Sequence, residues 1–227
     1  MQRAAFFDID GTLTRERTWK GIIGYFRERR LRRFVHLQFL AYHYPLYFLY
    51  RLGLMSNSGF RRPWAAHLAW YFRGMTLEES APIWDWGVKS YLSQYWREDT
   101  RAILESRRQS GDLIMLVSSG PLPMVQRIAA ELGADHCVGT SFKVRAGRYT
   151  GKAVEPIVID EIKASATLAY LKSNGIEVDL PSSYAYADST PDLSMLEMVG
   201  HPVATYPDSG LRAIAVQRGW EIFPSLN

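Results

Sequence analysis

The chain has 227 residues, 47% of them apolar, and a formal charge of +4, enough material for one large domain or a domain carrying a sizeable insertion. Its single cysteine, Cys137, excludes an internal disulfide and a thiolate metal cluster, so any metal is expected to be hard and the setting a reducing cytosol. The first strand begins within a few residues of Met1, which leaves no room for a signal peptide and predicts a cytoplasmic protein.

Ala4 to Phe7 is an apolar run suited to a buried strand, and Gly11 permits a sharp exit from it. Asp8 and Asp10 follow the strand two residues apart, so both can point into one site. After this opening the texture changes. Six of the seven tryptophans lie from Trp19 to Trp96, and the pattern predicts inserted helices over Trp19–Arg33, Val35–Leu52, Arg62–Phe72 and Leu77–Tyr95. A loop is expected at Ser56-Asn57-Ser58-Gly59, and Thr76 with Glu79 has capping-box spacing. The apolar stretch from Phe34 to Met55 is interrupted by His36, Gln38, His43, Pro45 and Arg51, which argues against a membrane span. Aromatic helices packing on one another are the expected arrangement; an interfacial helix is the alternative, with the arginines at the headgroups and Phe39, Leu40, Tyr47 and Phe48 below them.

From Arg101 onward, helices alternate with short apolar strands. Strands are predicted at Asp112–Val117, His136–Gly139, Ser183–Ala187 and Pro202–Tyr206, and a hairpin over Phe142–Tyr149 turning at Ala146-Gly147. Helices are predicted up to Leu132 and over Glu161–Ser173, Asp192–Met198 and Ser209–Arg218. The fold class is therefore α/β, a doubly wound, mostly parallel sheet with an inserted all-helical cap. The catalytic core is assigned to residues 1–15 and 98–227 and the cap to 16–97.

In such sheets ligands bind beyond the carboxyl ends of the strands. Asp8 and Asp10 close the first strand, Ser118 the second, and Asp188 the strand that begins at Ser183, with Asp192 four residues further. These carboxylates suit Mg²⁺. Ser118 offers a hydroxyl to a phosphoryl oxygen beside a helix start with free amides. An acidic site also needs a cation besides the metal to receive phosphate. Lys163 is favoured over Lys152 and Lys143, which belong to the hairpin region.

The set Asp8-Ile9-Asp10-Gly11-Thr12, Ser118, Lys163 and Asp188 to Asp192 resembles the four motifs of the haloacid dehalogenase superfamily, in the same order. The helical insertion after the first motif is similar to subfamily IB, the phosphoserine-phosphatase-like group. The resemblance implies a magnesium-dependent phosphomonoester hydrolase acting through an aspartyl-phosphate on a small phosphorylated metabolite. Asp8 would be the nucleophile and Asp10 the acid/base. Mg²⁺ would be held by Asp8, the carbonyl of Asp10 and Asp188, with Asp192 in the outer shell or orienting Lys163. Ser118, Ser119 and Lys163 would bind phosphate. Phosphoserine phosphatases carry an acidic residue shortly after the first motif, where Arg17, Thr18 and Trp19 stand here with Glu16 displaced, so phosphoserine is not the first choice.

Alternatives are a lipid-phosphate phosphatase of the phosphatidylglycerophosphate type at the membrane surface, a phosphotransferase to an alcohol, and a non-catalytic adaptor. Arg27, Arg29, Arg30, Arg32 and Arg33 form a basic run that reads either as a solvated helix face or as a peripheral contact with the anionic inner face of the membrane. No nucleic-acid partner is expected.

Overall fold

A computed structural model describes residues 1–225, so residues 226 and 227 of the expected core lie outside the described residues. The sheet grows from β1 (Ala4–Phe7), whose four residues are all buried. With apolar side chains on both faces, such a strand is stable only where helices cover both sides. Beyond it come β2 (Leu113–Pro121), β3 (His136–Thr140), β6 (Tyr184–Ala187), β7 (His201–Thr205) and β8 (Glu221–Phe223), while β4 (Phe142–Arg145) and β5 (Arg148–Ala153) pair separately as an antiparallel hairpin. The main sheet has the order β3-β2-β1-β6-β7-β8, every pair parallel. The chain therefore steps outward from β1 in one direction and later in the other, and the strand order switches beside β1. Ala5 and Phe7 face one hydrophobic layer and Ala4 and Phe6 the other, as strand alternation requires.

The doubly wound parallel sheet expected from the sequence is thus present, and the helical insertion occupies the chain between β1 and β2. Its helices are α1 (Thr18–Glu28), α2 (Arg33–Arg51), α3 (Asn57–His67) and α4 (Leu77–Trp86), before α5 (Glu98–Gln109) returns to the sheet. Its entry and exit run side by side: Arg15 N donates to the Tyr95 carbonyl at 2.8 Å and Arg97 N to the Leu13 carbonyl at 2.9 Å. The core helices that follow are α6 (Leu122–Leu132), α7 (Glu161–Ser173), α8 (Leu193–Glu197) and α9 (Ser209–Arg218).

Several boundaries differ from expectation. The first predicted helix stops at Glu28, because Arg30 and Arg32 adopt left-handed φ of 57° and 53° and turn the chain. The basic run is thus a corner between α1 and α2, not one helix face. The expected loop at Ser56 to Gly59 instead starts α3, where Ser56 accepts from Gly59 N at 3.0 Å. α3 then tightens into a 3₁₀ turn over Leu68–Phe72. The predicted helix from Leu77 starts on its capping box but passes after Trp86 into a π turn, Gly87–Tyr91. There a Cβ on Gly87 would approach Met124 of α6 to 3.0 Å, so the glycine lets the insertion pack closely on the core. β2 continues four residues beyond Val117, and β8 had no counterpart among the predicted strands. The hairpin turns at Ala146-Gly147, both with positive φ.

The insertion is held by aromatic packing. Phe72 stacks on Trp84 with centroids 4.1 Å apart, and Phe26 meets Tyr71 at 5.3 Å and Phe72 at 5.5 Å. Phe39, which packing of the aromatic helices on one another would bury and an interfacial helix would turn outward, is fully buried in this cluster. The hairpin joins it: Gly74 N donates to the Tyr149 carbonyl at 2.8 Å and Tyr149 N to the Met75 carbonyl at 2.9 Å. His43 is also buried there, 3.3 Å from His67 through their ring nitrogens. Burial, with His67 beside it, lowers the His43 pKa to about 4. The unfolded chain therefore binds a proton at His43 from about pH 6.5 downward while the folded chain refuses it until about pH 4. Stability is expected to fall as pH drops through that window, His43 contributing on the order of 2 kcal/mol. Denaturant titrations across the window should show a shallower loss for His43→Gln.

Candidate active site

Gly11 leaves β1 with φ +103°, and a Cβ there would lie 1.9 Å from Asp188 Oδ2, so the turn admits only glycine without displacement. The close approach brings the loop after β6 against the loop after β1. Asp8, Asp188 and Asp192 are all buried, and one carboxylate oxygen of each lies within 4.8 Å of the others. Lys163, in the first turn of α7, is 2% exposed and bridges two of them. Its Nζ donates to Asp8 Oδ1 at 2.5 Å and forms an ion pair with Asp192 Oδ1. Burial alone would lower the pKa of this ammonium, but Asp192 and Asp8 outweigh burial and hold it charged. Burial raises Asp8 to about 7 against the opposing pull of Lys163, and raises Asp188 to about 6 against Arg17.

Asp10 is held differently. Its Oδ1 accepts from Thr18 N at 2.8 Å and its Oδ2 from Thr18 Oγ1 at 3.0 Å. The carboxylate thus caps the start of α1, where free amides and the helix dipole favour an anion. Burial raises its pKa, opposed by the Thr18 amide. Arg17, the residue before α1, donates to the Asp10 carbonyl and lies 3.6 Å from Asp188 Oδ2. Sequence reasoning gave neither Arg17 nor Thr18 a role. The available signal was their place at a helix start, seven and eight residues past the Asp10 carboxylate.

β2 places Ser118 within the strand, buried, with its Oγ accepting from Gly120 N at 3.1 Å. A Cβ on Gly120 would lie 3.2 Å from Thr18 Oγ1 and 3.3 Å from Ser118 Oγ, so both hydroxyls converge there. Ser119 and Gly120 line the cavity wall. Lys143 and Lys152, the rival cations, are exposed on the hairpin.

A cavity of about 940 Å³ opens over this cluster. Its floor includes Asp8, Asp10, Lys163 and Asp192, and its roof comes from the insertion, including Trp19, Tyr44, Tyr47, Phe60 and Trp64 with Arg27, His36 and His43. Every acidic residue of the wall belongs to the core. Glu16 is engaged with Lys20 at 2.8 Å and Tyr91 at 3.0 Å.

The residues present fit a divalent cation. Four carboxylates, Asp8, Asp10, Asp188 and Asp192, face the two cations Lys163 and Arg17, an excess of two negative charges that one such ion would neutralise. Asp188 Oδ1 is buried with no hydrogen-bond partner among the described residues, a donor left open. An all-oxygen set suits a hard cation such as Mg²⁺.

An acidic, cation-compensated site at the switch point of a doubly wound sheet is suited to a hard cation and an anionic ligand. The chain belongs to the haloacid dehalogenase-like hydrolase family, which it matches over residues 5–197. It is 28% identical over 220 residues to a Mycobacterium tuberculosis protein named phosphoserine phosphatase, covering 96% of this chain and 70% of that protein. It is 25% identical over 224 residues to the histidinol-phosphatase of Neisseria meningitidis, covering 98% of both chains. A crystal structure of a Bordetella pertussis protein of unknown function superposes with a TM-score of 0.81 at 25% identity, over 98% of each chain. The family resemblance read from the motifs is borne out.

Gly11→Ala should destabilise the protein by about 2 kcal/mol or more, since it strains the backbone and drives a methyl into the Asp188 carboxylate. Chemical denaturation checks this; an unchanged midpoint would show that the two loops are not held in contact.

Proposed function

We propose that this phosphatase hydrolyses a phosphomonoester through an aspartyl-phosphate on Asp8, with Mg²⁺ as cofactor. The observation that carries the reading is the buried ammonium of Lys163 bridging Asp8 and Asp192 beneath the cavity. A carboxylate so placed at the end of β1 can meet a phosphorus atom entering from the cavity. An oxygen of Asp8 attacks phosphorus, the bond to the leaving oxygen breaks, and Asp10 gives that oxygen its proton. Asp10 then takes a proton from water as the water oxygen attacks the phosphoryl group, releasing inorganic phosphate and restoring the Asp8 carboxylate. The raised pKa of Asp10 suits this double duty.

Lys163 donates to the transferring oxygens, and Ser118 can join it because its hydroxyl proton stays free while its oxygen accepts from Gly120. The Ser119 segment supplies the adjoining wall. Asp8, the Asp10 carbonyl, Asp188 and Asp192 would hold Mg²⁺, which when bound supplies neutralising charge to an otherwise acidic site. Residues 16–97 serve as a cap over the core of residues 1–15 and 98–227. Arg61 of α3 reaches Asp160, just before α7, at 3.3 Å, which ties the cap down beside Lys163.

The substrate is a phosphorylated small molecule whose alcohol carries apolar or aromatic surface. The names of the Mycobacterium and Neisseria relatives point to amine-bearing substrates. The cap wall of this cavity, in contrast, presents rings and cations and no carboxylate for an ammonium. Phosphoserine is therefore disfavoured here, and 2-phenylethyl phosphate should show the higher kcat/KM of the two.

Asp8→Asn should lower magnesium-dependent turnover of p-nitrophenyl phosphate by about 10³-fold or more, and Asp10→Asn by about 10²- to 10⁴-fold. Turnover by purified Asp8→Asn at the wild-type rate would remove Asp8 as nucleophile.

A further inference from the structure

Helix α2 divides its side chains between two environments. Phe39 and His43 turn into the cap core, and His36, Leu40 and Tyr47 turn toward the cavity. On the side turned away from the cap core, Phe34, Leu37, Ala41, Tyr44, Phe48 and Leu52 recur every three or four residues and stay exposed, with Tyr44 at the edge that borders the cavity. Phe34 is 88% exposed, Phe48 59% and Leu52 71%. This is a patch and not scatter: ten of the sixteen large apolar side chains exposed among the described residues fall between Leu31 and Leu54. An apolar stripe of this kind marks a contact surface.

Charge selects what covers it. From Phe34 to Tyr50 the sequence has no Asp, Glu, Lys or Arg, while Arg29, Arg30, Arg32 and Arg33 precede it and Arg51 follows. Within residues 27–62 there are eight arginines and a single acidic residue, Glu28. A second copy of the chain laid on this helix would oppose arginine to arginine in either direction, because both helix ends carry them. A span is excluded, since among the described residues no helix is long and apolar enough to cross a membrane. An anionic lipid surface matches both parts of the pattern, with guanidinium groups among headgroups and Phe, Leu and Tyr at the acyl boundary.

We propose that the outward face of α2 docks on an anionic lipid bilayer, with the helix lying in the interface plane. The docking face comprises Phe34, Leu37, Tyr44, Phe48 and Leu52, and of the set Phe39, Leu40, Tyr47 and Phe48 expected from the sequence it keeps only Phe48, since Phe39 is buried and Leu40 and Tyr47 line the cavity. Tyr44 and Tyr47 are exposed and also line the catalytic cavity, so docking sets the cavity mouth against the bilayer. A phosphomonoester anchored by an acyl chain then enters without leaving the lipid. That consequence rests on the phosphatase reading; the docking does not.

The test is cosedimentation of the full chain with vesicles of phosphatidylcholine alone or mixed equally with phosphatidylglycerol, at low and high salt. Wild type and Asp8→Asn should both partition onto the anionic vesicles only, and less so at high salt. Asp8→Asn thereby separates docking from catalysis. Arg30→Gln, Arg33→Gln and Arg51→Gln combined should weaken partition roughly fivefold per arginine. Phe34→Ser, Phe48→Ser and Leu52→Ser combined should weaken it at least tenfold while p-nitrophenyl phosphate turnover is kept. Phe34→Ser alone, at an almost fully solvated position, is the variant to use if the combination misfolds, and should weaken partition in the same direction. No partition onto anionic vesicles, or partition indifferent to these substitutions, overturns the proposal. So does a dimer that the serine variants dissociate in sedimentation equilibrium without any vesicle binding.

Discussion

The site depends on one buried ion-pair network, the ammonium of Lys163 held between Asp8 and Asp192. Taking three charged groups out of water costs several kcal/mol apiece, and only mutual attraction in good geometry offsets that cost. The network ties the end of β1, the first turn of α7 and the loop after β6 into one point, although Asp8 and Lys163 stand 155 residues apart in the chain. Removing the lysine would leave two carboxylates buried face to face, with Asp188 close by. The same excess of negative charge suits the site to a divalent cation.

The parallel sheet makes this convergence possible. Strand order reverses beside β1, so the loops after β1, β2 and β6 open on a common crevice with nothing of the sheet between them. Gly11 lets two of those loops touch. The insertion leaves from the same crevice, and its first helix begins with Thr18 holding Asp10. A carboxylate that caps α1 ties the insertion directly to Asp10, the proposed acid/base group.

Much of this was legible in sequence where chemistry and local pattern agree. The apolar run before Asp8, the Thr76–Glu79 capping box and the Ala146-Gly147 turn each carry their structural cause within a few residues. Lys163 could be favoured over Lys143 and Lys152 because it begins a helix next to a strand of the sheet, whereas the others sit on a hairpin. What escaped depends on contacts between distant segments. Arg30 and Arg32 break a basic run by adopting left-handed backbone, which no propensity of arginine signals. The strand through Ser118 continues to Pro121 because β3 pairs with it as far as Thr140. Thr18 and Arg17 gain their meaning only when α1 folds back onto Asp10. Phe39 and Phe34 look alike in a uniformly apolar helix, and only packing against Trp64 and Tyr71 decides which of them is buried.

On the proposed reading, a buried charge network supplies the chemistry, and an aromatic roof without acidic side chains among the described residues selects the leaving alcohol. The most direct measurement is trapping of the phosphorylated protein. The enzyme is mixed with substrate and magnesium, quenched in acid within one turnover, reduced with borohydride, and the modified residue is located by peptide mass spectrometry. Conversion of Asp8 alone is expected; a modified residue elsewhere, or turnover that proceeds with Asp8 never phosphorylated, would contradict the mechanism.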